Sequence, residues 1–538
     1  MTGWTPMFLV ATLALPLAML VAACFAPWRK LVFAAQWLAP APGFIAGLLC
    51  LQTGPASVRL PRLGFTLVLD TPAAMLLVVA ALLWIVISVS IRDRSDDARF
   101  SFCWLLTMTG SLGVFIAGDL VSFYLLYALV SIPAYGLFAF SGDGGSRRAG
   151  AIYMAFAILG EALLLLAFAA LAAGAAGASS DIASGVRTLV NAPGREIVAA
   201  LLIAGFGMKL GMVPFSGWMP LNYAASPIPV AAVLSGAGVK AGVIGLIRFL
   251  PLDSAIPSIG QALVAFGFVS AFFGVALGLT QRNARSILAY SSISQMGVIT
   301  AALGMAQISG AQSAAADAGF YGANHLLVKA ALFLTIGALA ARAKPLAGWT
   351  MALTAALALS LAGLPFTGGS LAKLATKAQF ETAWVSNLAL LSSIGSGWLM
   401  THFLLQLQST LRDASIETPR FLIAAWPALA IGAIAIPWLL FPMVGDIGKA
   451  IAPYEIWSAF WPVACGVALA LGLRKGVASL PDVQPGDAIV LYEGAFRRLI
   501  AFGPKLDTLD AGLRQWPLAG VSFLLVALAL VGAGLSGH

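Results

Sequence analysis

Two adjoining stretches, KLGMVPFSGWMP at residues 209–220 and ASPIPVAAVL at residues 225–234, decide how this chain folds. Both belong to long apolar segments, and together they contain four prolines. Each proline removes an amide donor and clashes with the preceding helical turn, so one straight helix cannot run through all four. Broken helices at membrane depth are tolerated where they line a cavity. The stretch therefore predicts a helix break beside a polar interior, next to Lys209.

A second break is predicted from LPFTGGSLAK at residues 364–373, within the apolar segment 350–378. Paired breaks in the two halves of a chain are typical of inverted-repeat transporters. We expect the breaks to line a path through their prolines and glycines, which are Pro214, Pro227, Pro229, Pro365, Gly368 and Gly369. The predicted organisation is helices 1–3 at residues 1–100, a first repeat of helices 4–8 at 101–250, a second repeat of helices 9–13 at 251–411, and C-terminal helices at 412–538.

The composition is that of an all-α polytopic membrane protein. Sixty per cent of the residues are hydrophobic and 9% are charged, whereas soluble domains carry roughly 25% charged residues. A spanning helix needs about 20 apolar residues. This criterion predicts about sixteen spans, at residues 7–27, 32–52, 71–91, 101–118, 120–140, 150–174, 197–215, 228–250, 257–279, 286–305, 318–341, 350–378, 384–408, 421–443, 455–473 and 516–536.

Basic residues are concentrated in the loops that follow odd-numbered spans, as in Arg29–Lys30 and Arg147–Arg148. The positive-inside rule therefore predicts that both termini lie outside a bacterial cytoplasmic (inner) membrane. The first apolar run has no Lys or Arg before it, so we interpret it as a retained helix and not as a signal peptide. The net charge of +9 is scattered and forms no basic stripe, which argues against nucleic-acid binding.

No cofactor is expected in this chain. The four cysteines are far apart and form no CxxC pair, so the sequence supports neither an iron–sulfur cluster nor a zinc site. No residue pattern for flavin, quinone or nicotinamide is recognisable. Any redox chemistry would then belong to partner chains, and whether the chain counts as an enzyme subunit stays open.

Six ionisable residues interrupt the predicted spans. They are Glu161, Lys209, Lys240, His325, Lys329 and Lys373. In hydrocarbon each charge costs roughly 2.5–3.5 kcal/mol on insertion scales, so such groups are retained where they face one another or water. A buried lysine and carboxylate can store and release protons, and imidazole changes charge near working pH. The set predicts a relay that conducts protons in steps.

Five motifs resemble the antiporter-like membrane subunits shared by respiratory complex I, Mrp cation/proton antiporters and membrane-bound hydrogenases. The motifs are KLGMVPFSGWMP with ASPIPVAAVL, KAGVIGLIR at 240–248, RSILAYSSISQMG at 285–297, NHLLVKAALF at 324–333 and LPFTGGSLAK. The resemblance covers about residues 100–400. It implies fourteen core helices with two inverted five-helix repeats and a hydrophilic axis. It also implies relay roles for Lys209 on helix 7, Lys240 on helix 8, His325 and Lys329 on helix 11, and Lys373 on helix 12.

One departure from the family concerns helix 5. The family places a glutamate there, paired with the helix 7 lysine, whereas FYLLYAL at 123–129 has Ala128 in that position. The next span offers Glu161 within ILGEAL at 158–163. We therefore expect Glu161 to replace the missing carboxylate and to pair with Lys209. The alternative is a structural carboxylate bonded to a neighbouring hydroxyl or lysine.

Several other polar residues are expected to have structural roles outside the relay or supporting roles within it. Asp119 is expected to cap a helix, and Lys377 and Glu381 to reach the interface from the end of their span, with relay membership as the alternative. Ser291, Ser292, Ser294 and Gln295 are candidates to fill the gap between Lys240 and His325. The segment 474–516 is amphipathic and predicts a helix on the cytoplasmic surface; the alternative is a partner-binding arm.

The sequence thus favours a proton-translocating, or cation/proton-exchanging, subunit of a multisubunit membrane complex. Its expected partners are other membrane subunits, protons or Na⁺, and lipid. Three alternatives stay open: sodium/proton exchange in an Mrp-type assembly, the membrane partner of an inorganic-carbon uptake complex with a zinc-containing soluble subunit, and a non-conducting anchor for a redox or hydrogenase arm.

Overall fold

The computed structural model describes residues 4–62, 64–91, 97–174, 180–340, 348–412, 420–481 and 483–486. Helices dominate this part of the chain, and a single hairpin joins the third helix to the fourth. The first half contains α1 (Thr5–Cys24), α2 (Ala26–Ala34), α3 (Ala41–Thr53), β1 (Ala56–Leu60), β2 (Phe65–Leu69), α4 (Thr71–Ser90), α5 (Ala98–Ile116), α6 (Leu120–Phe138), α7 (Gly144–Gly174), α8 (Ile182–Leu189), α9 (Arg195–Leu210), α10 (Trp218–Ala225), α11 (Ile228–Val233) and α12 (Val239–Phe249). The second half contains α13 (Pro257–Leu279), α14 (Ala284–Ser309), α15 (Ala314–Ala340), α16 (Gly348–Ser360), α17 (Gly368–Ala375), α18 (Ala383–Arg412), α19 (Arg420–Leu440), α20 (Ile447–Ala450), α21 (Pro453–Gly472) and α22 (Arg474–Ala478).

The prediction of an all-α polytopic membrane protein is confirmed. Twelve described helical segments are long and apolar enough to span a membrane, if α11, α12 and the turn between them are counted as one segment. The bent pair Ala26–Ala34 and Gln36–Thr53 makes thirteen if it counts as one span. Two further predicted spans correspond to the shorter helices α9 and α16, each of which ends at one of the two predicted helix breaks. The predicted span 516–536 and most of the segment 474–516 lie outside the described residues, so the count of sixteen is not confirmed.

Both predicted helix breaks are present. Helix α9 ends at Leu210 and α10 begins at Trp218, so the first proline-rich stretch forms the turn between them. The second break separates α16 from α17. A Cβ atom on Gly369 would lie 1.5 Å from the carbonyl oxygen of Ser360. Glycine is needed there because the two broken ends cross in direct backbone contact.

Helix α15 lies at the centre of the bundle, where it packs against α4, α11, α12, α14 and α19. The apolar stretches of α14 and α15 that are long enough to span a membrane are entirely buried within the protein. Helices α13 and α14 approach so closely that a Cβ on Gly267 would lie 2.6 Å from the amide nitrogen of Ala301. Small residues allow such backbone contact between membrane helices. Helix α14 thus packs between α13 and α15, with Ser291 facing α15 and Ser294 lying against Gly274 of α13.

The hairpin was not expected from the sequence. Strands β1 and β2 pair antiparallel, with Ala56 opposite Leu69. Asp119 joins the hairpin to α6, because its carboxylate accepts hydrogen bonds from the amides of Thr66 (2.7 Å) and Ser122 (2.8 Å). The predicted helix-capping role of Asp119 is therefore confirmed, together with a contact that sequence spacing could not show.

Candidate functional site

Lys240 and His325 form the centre of the candidate site. Lys240 lies on α12, directly after a π-helical turn at Leu234–Gly238, and His325 lies on α15. The Lys240 Nζ and His325 Nδ1 atoms are 2.9 Å apart, and both side chains are fully buried. Single π-turns within helices frequently occur at functional sites.

This contact constrains the protons that the pair can hold. An ammonium group has three donors and no acceptor, and an imidazolium ring has only donors. A hydrogen bond between the two nitrogens therefore requires either a neutral imidazole or a neutral amine. Nε2 of His325 is also buried and has no hydrogen-bond partner among the described residues. The contact can accommodate one proton between the two nitrogens, and it leaves the second ring nitrogen without a partner among the described residues.

Lys329 extends this group by one helical turn along α15. Its Nζ donates to the carbonyl oxygen of Leu288 at 2.7 Å and to the hydroxyl of Ser291, both on α14. The prediction that Ser291, Ser292 and Ser294 fill a gap between Lys240 and His325 is wrong, because those two residues touch directly and Ser291 bonds to Lys329. Ser292 bonds back to the carbonyl of Leu288, whereas the buried Ser294 hydroxyl has no partner in the described part of the chain.

Gln295 and Tyr321 continue the polar row away from the central lysines. The Tyr321 hydroxyl donates to Gln295 Oε1 at 2.7 Å, and Gln295 Nε2 donates to Ser396 Oγ at 3.0 Å. Tyr321 precedes His325 by four residues on the same helix, so the two side chains share one face of α15. Gln295 therefore connects α14, α15 and α18, and does not fill the gap between Lys240 and His325, which are already in contact.

Lys209, at the end of α9, occupies a tight aromatic pocket. Its Nζ donates to Ser131 Oγ at 2.8 Å and to the Tyr153 hydroxyl at 3.1 Å. The same nitrogen lies 5.6 Å from the ring centroid of Tyr127 and 5.4 Å from that of Tyr153. Cation–π attraction favours a charged amine in this position. The adjoining cavity, which Trp218 also lines, has a volume of only 10 Å³.

Glu161 lies on the inner face of α7, and only 7% of its surface is exposed. Its carboxyl group neighbours the Ser131 hydroxyl and is within electrostatic range of Lys209. The described side chains include no direct ion pair between Glu161 and Lys209, and Glu161 Oε1 has no hydrogen-bond partner among them. The structure therefore brings the two residues together through Ser131. Pairing of their charges stays a prediction.

Lys373, on α17, opens onto a much larger space. Its Nζ donates to Ser393 Oγ at 2.6 Å and to the carbonyl of Ala362. It lines a cavity of 340 Å³, which also contacts Gln295 and Tyr321. Pro365 lines this cavity, whereas Pro214, Pro227 and Pro229 line neither it nor the cavity beside Lys209. Gly368 packs against Asn324, where a Cβ would lie 2.1 Å from the amide oxygen.

The predicted site residues thus form three groups: Glu161 with Lys209, Lys240 with His325 and Lys329, and Lys373 beside its cavity. Sequence reasoning missed Ser131, Tyr153, Tyr321 and Glu455. A signal was available for Tyr321, which is four residues before His325. Ser131 also lies one helical turn after Ala128, the position that the family comparison singled out. Tyr153 and Glu455 reach the site only through packing of distant segments.

A family model described as "NADH:quinone oxidoreductase/Mrp antiporter, TM" matches residues 117–401, which is more than half of the chain. NADH-quinone oxidoreductase subunit N of Desulforudis audaxviator is 28% identical over 58% of this chain and 66% of its own length. Hydrogenase-4 component B of Escherichia coli is 29% identical over 52% of this chain and 44% of its own length. The chain therefore spans less than two thirds of the length of these relatives.

The fold has a solved counterpart in the Mrp complex from a Dietzia species. The two superpose with a TM-score of 0.76 at 20% sequence identity, covering 99% of this chain and 63% of the other. At that identity the likeness shows the fold alone. The family match, by contrast, includes Lys209, Lys240, His325, Lys329 and Lys373 within its boundaries. This chain therefore belongs to the NADH:quinone oxidoreductase/Mrp antiporter family of transmembrane subunits.

Proposed function

We propose that this chain is the proton-translocating, or cation/proton-exchanging, membrane subunit of a multisubunit complex. The observation that carries the proposal is the buried contact of 2.9 Å between Lys240 and His325, with Lys329 one turn further along α15. Buried ionisable groups are costly in a membrane and mark ion or proton pathways. A purely anchoring subunit would gain nothing from three such groups at its centre.

Protons would move between the three groups in steps. A proton held by Lys209 is stabilised by Ser131 and by the nearby Glu161 carboxylate. Lys240 and His325 share a proton across their hydrogen bond. A change in charge at Lys209 would shift that proton towards one of the two nitrogens. Lys329 then exchanges through Ser291, and Gln295 and Tyr321 connect this end to the Lys373 cavity. Serine hydroxyls and water carry protons over the remaining gaps.

The proposed setting is a bacterial inner membrane, with both termini outside and other membrane subunits as partners. Energy would reach the chain from those partners, because the sequence has no recognisable redox motif. The similarity to an oxidoreductase subunit, a hydrogenase component and an Mrp complex supports membership of a larger assembly. The division into two inverted repeats at 101–250 and 251–411 belongs to the same proposal.

The central test is Lys240→Met in the complete complex, reconstituted in sealed vesicles after its subunits have been identified in mild detergent. We expect proton transport to fall about 100-fold, at the lower end of what a positioned proton-transfer group contributes. Lys449→Met is the matched control, since Lys449 is exposed on α20. The complex must retain its subunit composition in both variants.

The same vesicles separate the alternatives. Unchanged transport in Lys240→Met would exclude the relay and leave the non-conducting anchor. Transport that requires sodium on the opposite side would identify cation/proton exchange. A zinc-containing soluble partner in the purified complex would favour the inorganic-carbon uptake assembly.

A further inference from the structure

The 340 Å³ cavity beside Lys373 has an opening that no family motif describes. Its inner end is formed by Gln295 and Tyr321, and its outer end by Lys377 and Glu455. Glu455 lies in the first turn of α21, beyond residue 401, where the family match ends. The cavity therefore joins the polar interior to a part of the chain outside the residues that the family model matches.

The opening is spanned by an ion pair. Lys377 Nζ lies 2.6 Å from Glu455 Oε1 and 2.9 Å from Glu455 Oε2. The Lys377 side chain is 51% exposed and that of Glu455 is 21% exposed, so both groups meet the surroundings as well as the cavity. The Tyr454 ring stacks 5.3 Å from Lys377 Nζ, and the Ser458 hydroxyl donates to Glu455 Oε2 at 3.2 Å.

The cavity wall between this pair and Lys373 is rich in hydroxyl groups. Ser392, Ser393, Ser396 and Ser458 all line it. Ser392 is buried, and its hydroxyl has no hydrogen-bond partner among the described residues. A cavity of this size with polar groups on its wall and one unsatisfied hydroxyl group can hold ordered water. The hydroxyl groups offer partners for water between Glu455 and Lys373, although apolar side chains such as Leu371 and Trp461 also line the wall.

We propose that Glu455 and Lys377 form a charged gate that passes protons between the aqueous face and Lys373. This inference rests on the proposed function and extends its path through α21. When the Glu455 carboxylate accepts a proton, it becomes neutral and the attraction to Lys377 is lost, which opens the cavity. The proton then moves through water to a neutral Lys373 amine, which becomes an ammonium group, and Glu455 is again a carboxylate. The reverse sequence releases a proton.

The two members of the pair have different roles in this scheme, and this difference can be tested by transport in vesicles of the complete complex. Glu455→Gln removes the proton carrier, and we expect transport to fall about tenfold, below the full effect of losing a positioned acid–base group. Lys377→Met removes the partner that closes the opening but leaves the carboxylate, so transport should fall by about twofold, less than in Glu455→Gln. Glu196→Gln is the control. Glu196 forms an exposed ion pair with Arg195, and neither residue lines the cavity.

The gate can also be tested without measuring transport. Ser392→Cys is introduced in a chain whose four native cysteines are replaced by alanine, and its reaction with a membrane-impermeant thiol reagent is timed. Loss of an exposed ion pair should raise this rate about twofold to fivefold in both Glu455→Gln and Lys377→Met. Leu391→Cys is the matched control, since Leu391 is the preceding residue of α18 and is exposed on its apolar outer face.

The outcomes are distinguishable from those of the central relay. Equal loss of transport in Glu455→Gln and Lys377→Met would show that the pair only fastens α21 to the bundle, and would overturn the gate. An unreactive Ser392→Cys in all three backgrounds would show a dry cavity and would overturn it as well. Failure of the proposed function would appear instead as unchanged transport in Lys240→Met.

Discussion

Lys209 and Lys373 both lie at helix breaks, yet their surroundings differ. Lys209 is enclosed by Tyr127, Tyr153 and Trp218, beside a space of 10 Å³. Lys373 borders a 340 Å³ cavity with serine on its wall and an ion pair at its opening. Each amine donates to one serine hydroxyl, Ser131 or Ser393. A lysine at a helix break that donates to a serine therefore lies in a closed site in one half of the chain and in an open site in the other.

The difference arises from what packs over each break. After the first break, α10 folds back so that Trp218 donates to the carbonyl of Met208 at 2.8 Å and seals the end of α9. After the second break, α21 approaches mainly along α18 and leaves space beside α17. In the proposed relay, a closed site would exchange its proton with fixed side chains, whereas an open site would exchange it with water. This distinction leads to the following predictions.

The largest expected effect is the contrast between Lys209→Met and Lys373→Met. Lys209 has no room for a substitute carrier, so we expect a loss of proton transport of about 100-fold. Water in the cavity can partly replace Lys373, so its loss should cost about tenfold. Transport by the complete complex in vesicles is the measurement. Equal losses would show that the cavity does not hold a continuous water path.

The second prediction concerns the carboxylate near Lys209. Glu161→Gln should lower transport about tenfold, because one neighbouring charge of this kind shifts a proton equilibrium by about that factor. Ala128→Glu lies on the same helix as Ser131, one turn earlier, and in combination with Glu161→Gln should restore part of the loss. Unchanged transport in Glu161→Gln would remove this residue from the path.

The third prediction compares the two serines. Ser131→Ala leaves the Lys209 amine without one of its two hydroxyl partners. A hydrogen bond to a charged group is worth about 1.5–3 kcal/mol, so this variant should lower transport more than Ser393→Ala does. Ser393→Ala should have less than about a twofold effect, since a water can take the place of the hydroxyl. Transport rates of the two variants, with subunit composition checked, measure the difference. A larger effect at Ser393 would reverse the assignment of the closed and open sites.

The smallest expected effect on transport is at a position outside both sites. Asp119→Ala removes the cap of α6 and the hairpin contact to Thr66, which should lower the free energy of unfolding by about 1–2 kcal/mol. Thermal denaturation in detergent would measure this. Transport per folded complex should match that of the unaltered chain, and a specific transport defect would place the hairpin in the mechanism.

Local sequence was sufficient to predict the two helix breaks, the cap at Asp119 and the face shared by His325 and Lys329. Each of these depends on residues within a few positions of one another: proline removes a specific hydrogen bond, Asp119 reaches an amide three residues on, and helix periodicity aligns residues four apart. Direct contact between Lys240 and His325 was not expected, since the sequence was interpreted as leaving a gap between them for polar side chains to fill. The hairpin at 56–69 was missed, because its short strands lie within the predicted loop between the spans 32–52 and 71–91.

Contacts between distant segments set the rest. Ser131 meets Lys209 across 78 residues of chain, and Lys377 meets Glu455 across another 78. No local pattern records such distances, because the side chains meet only after several helices have packed. The volume beside each lysine follows in the same way from the helix that covers it. The sequence thus determined where charges and helix breaks lie along the chain. Helix packing determined which lysine is enclosed by aromatic side chains and which borders a cavity.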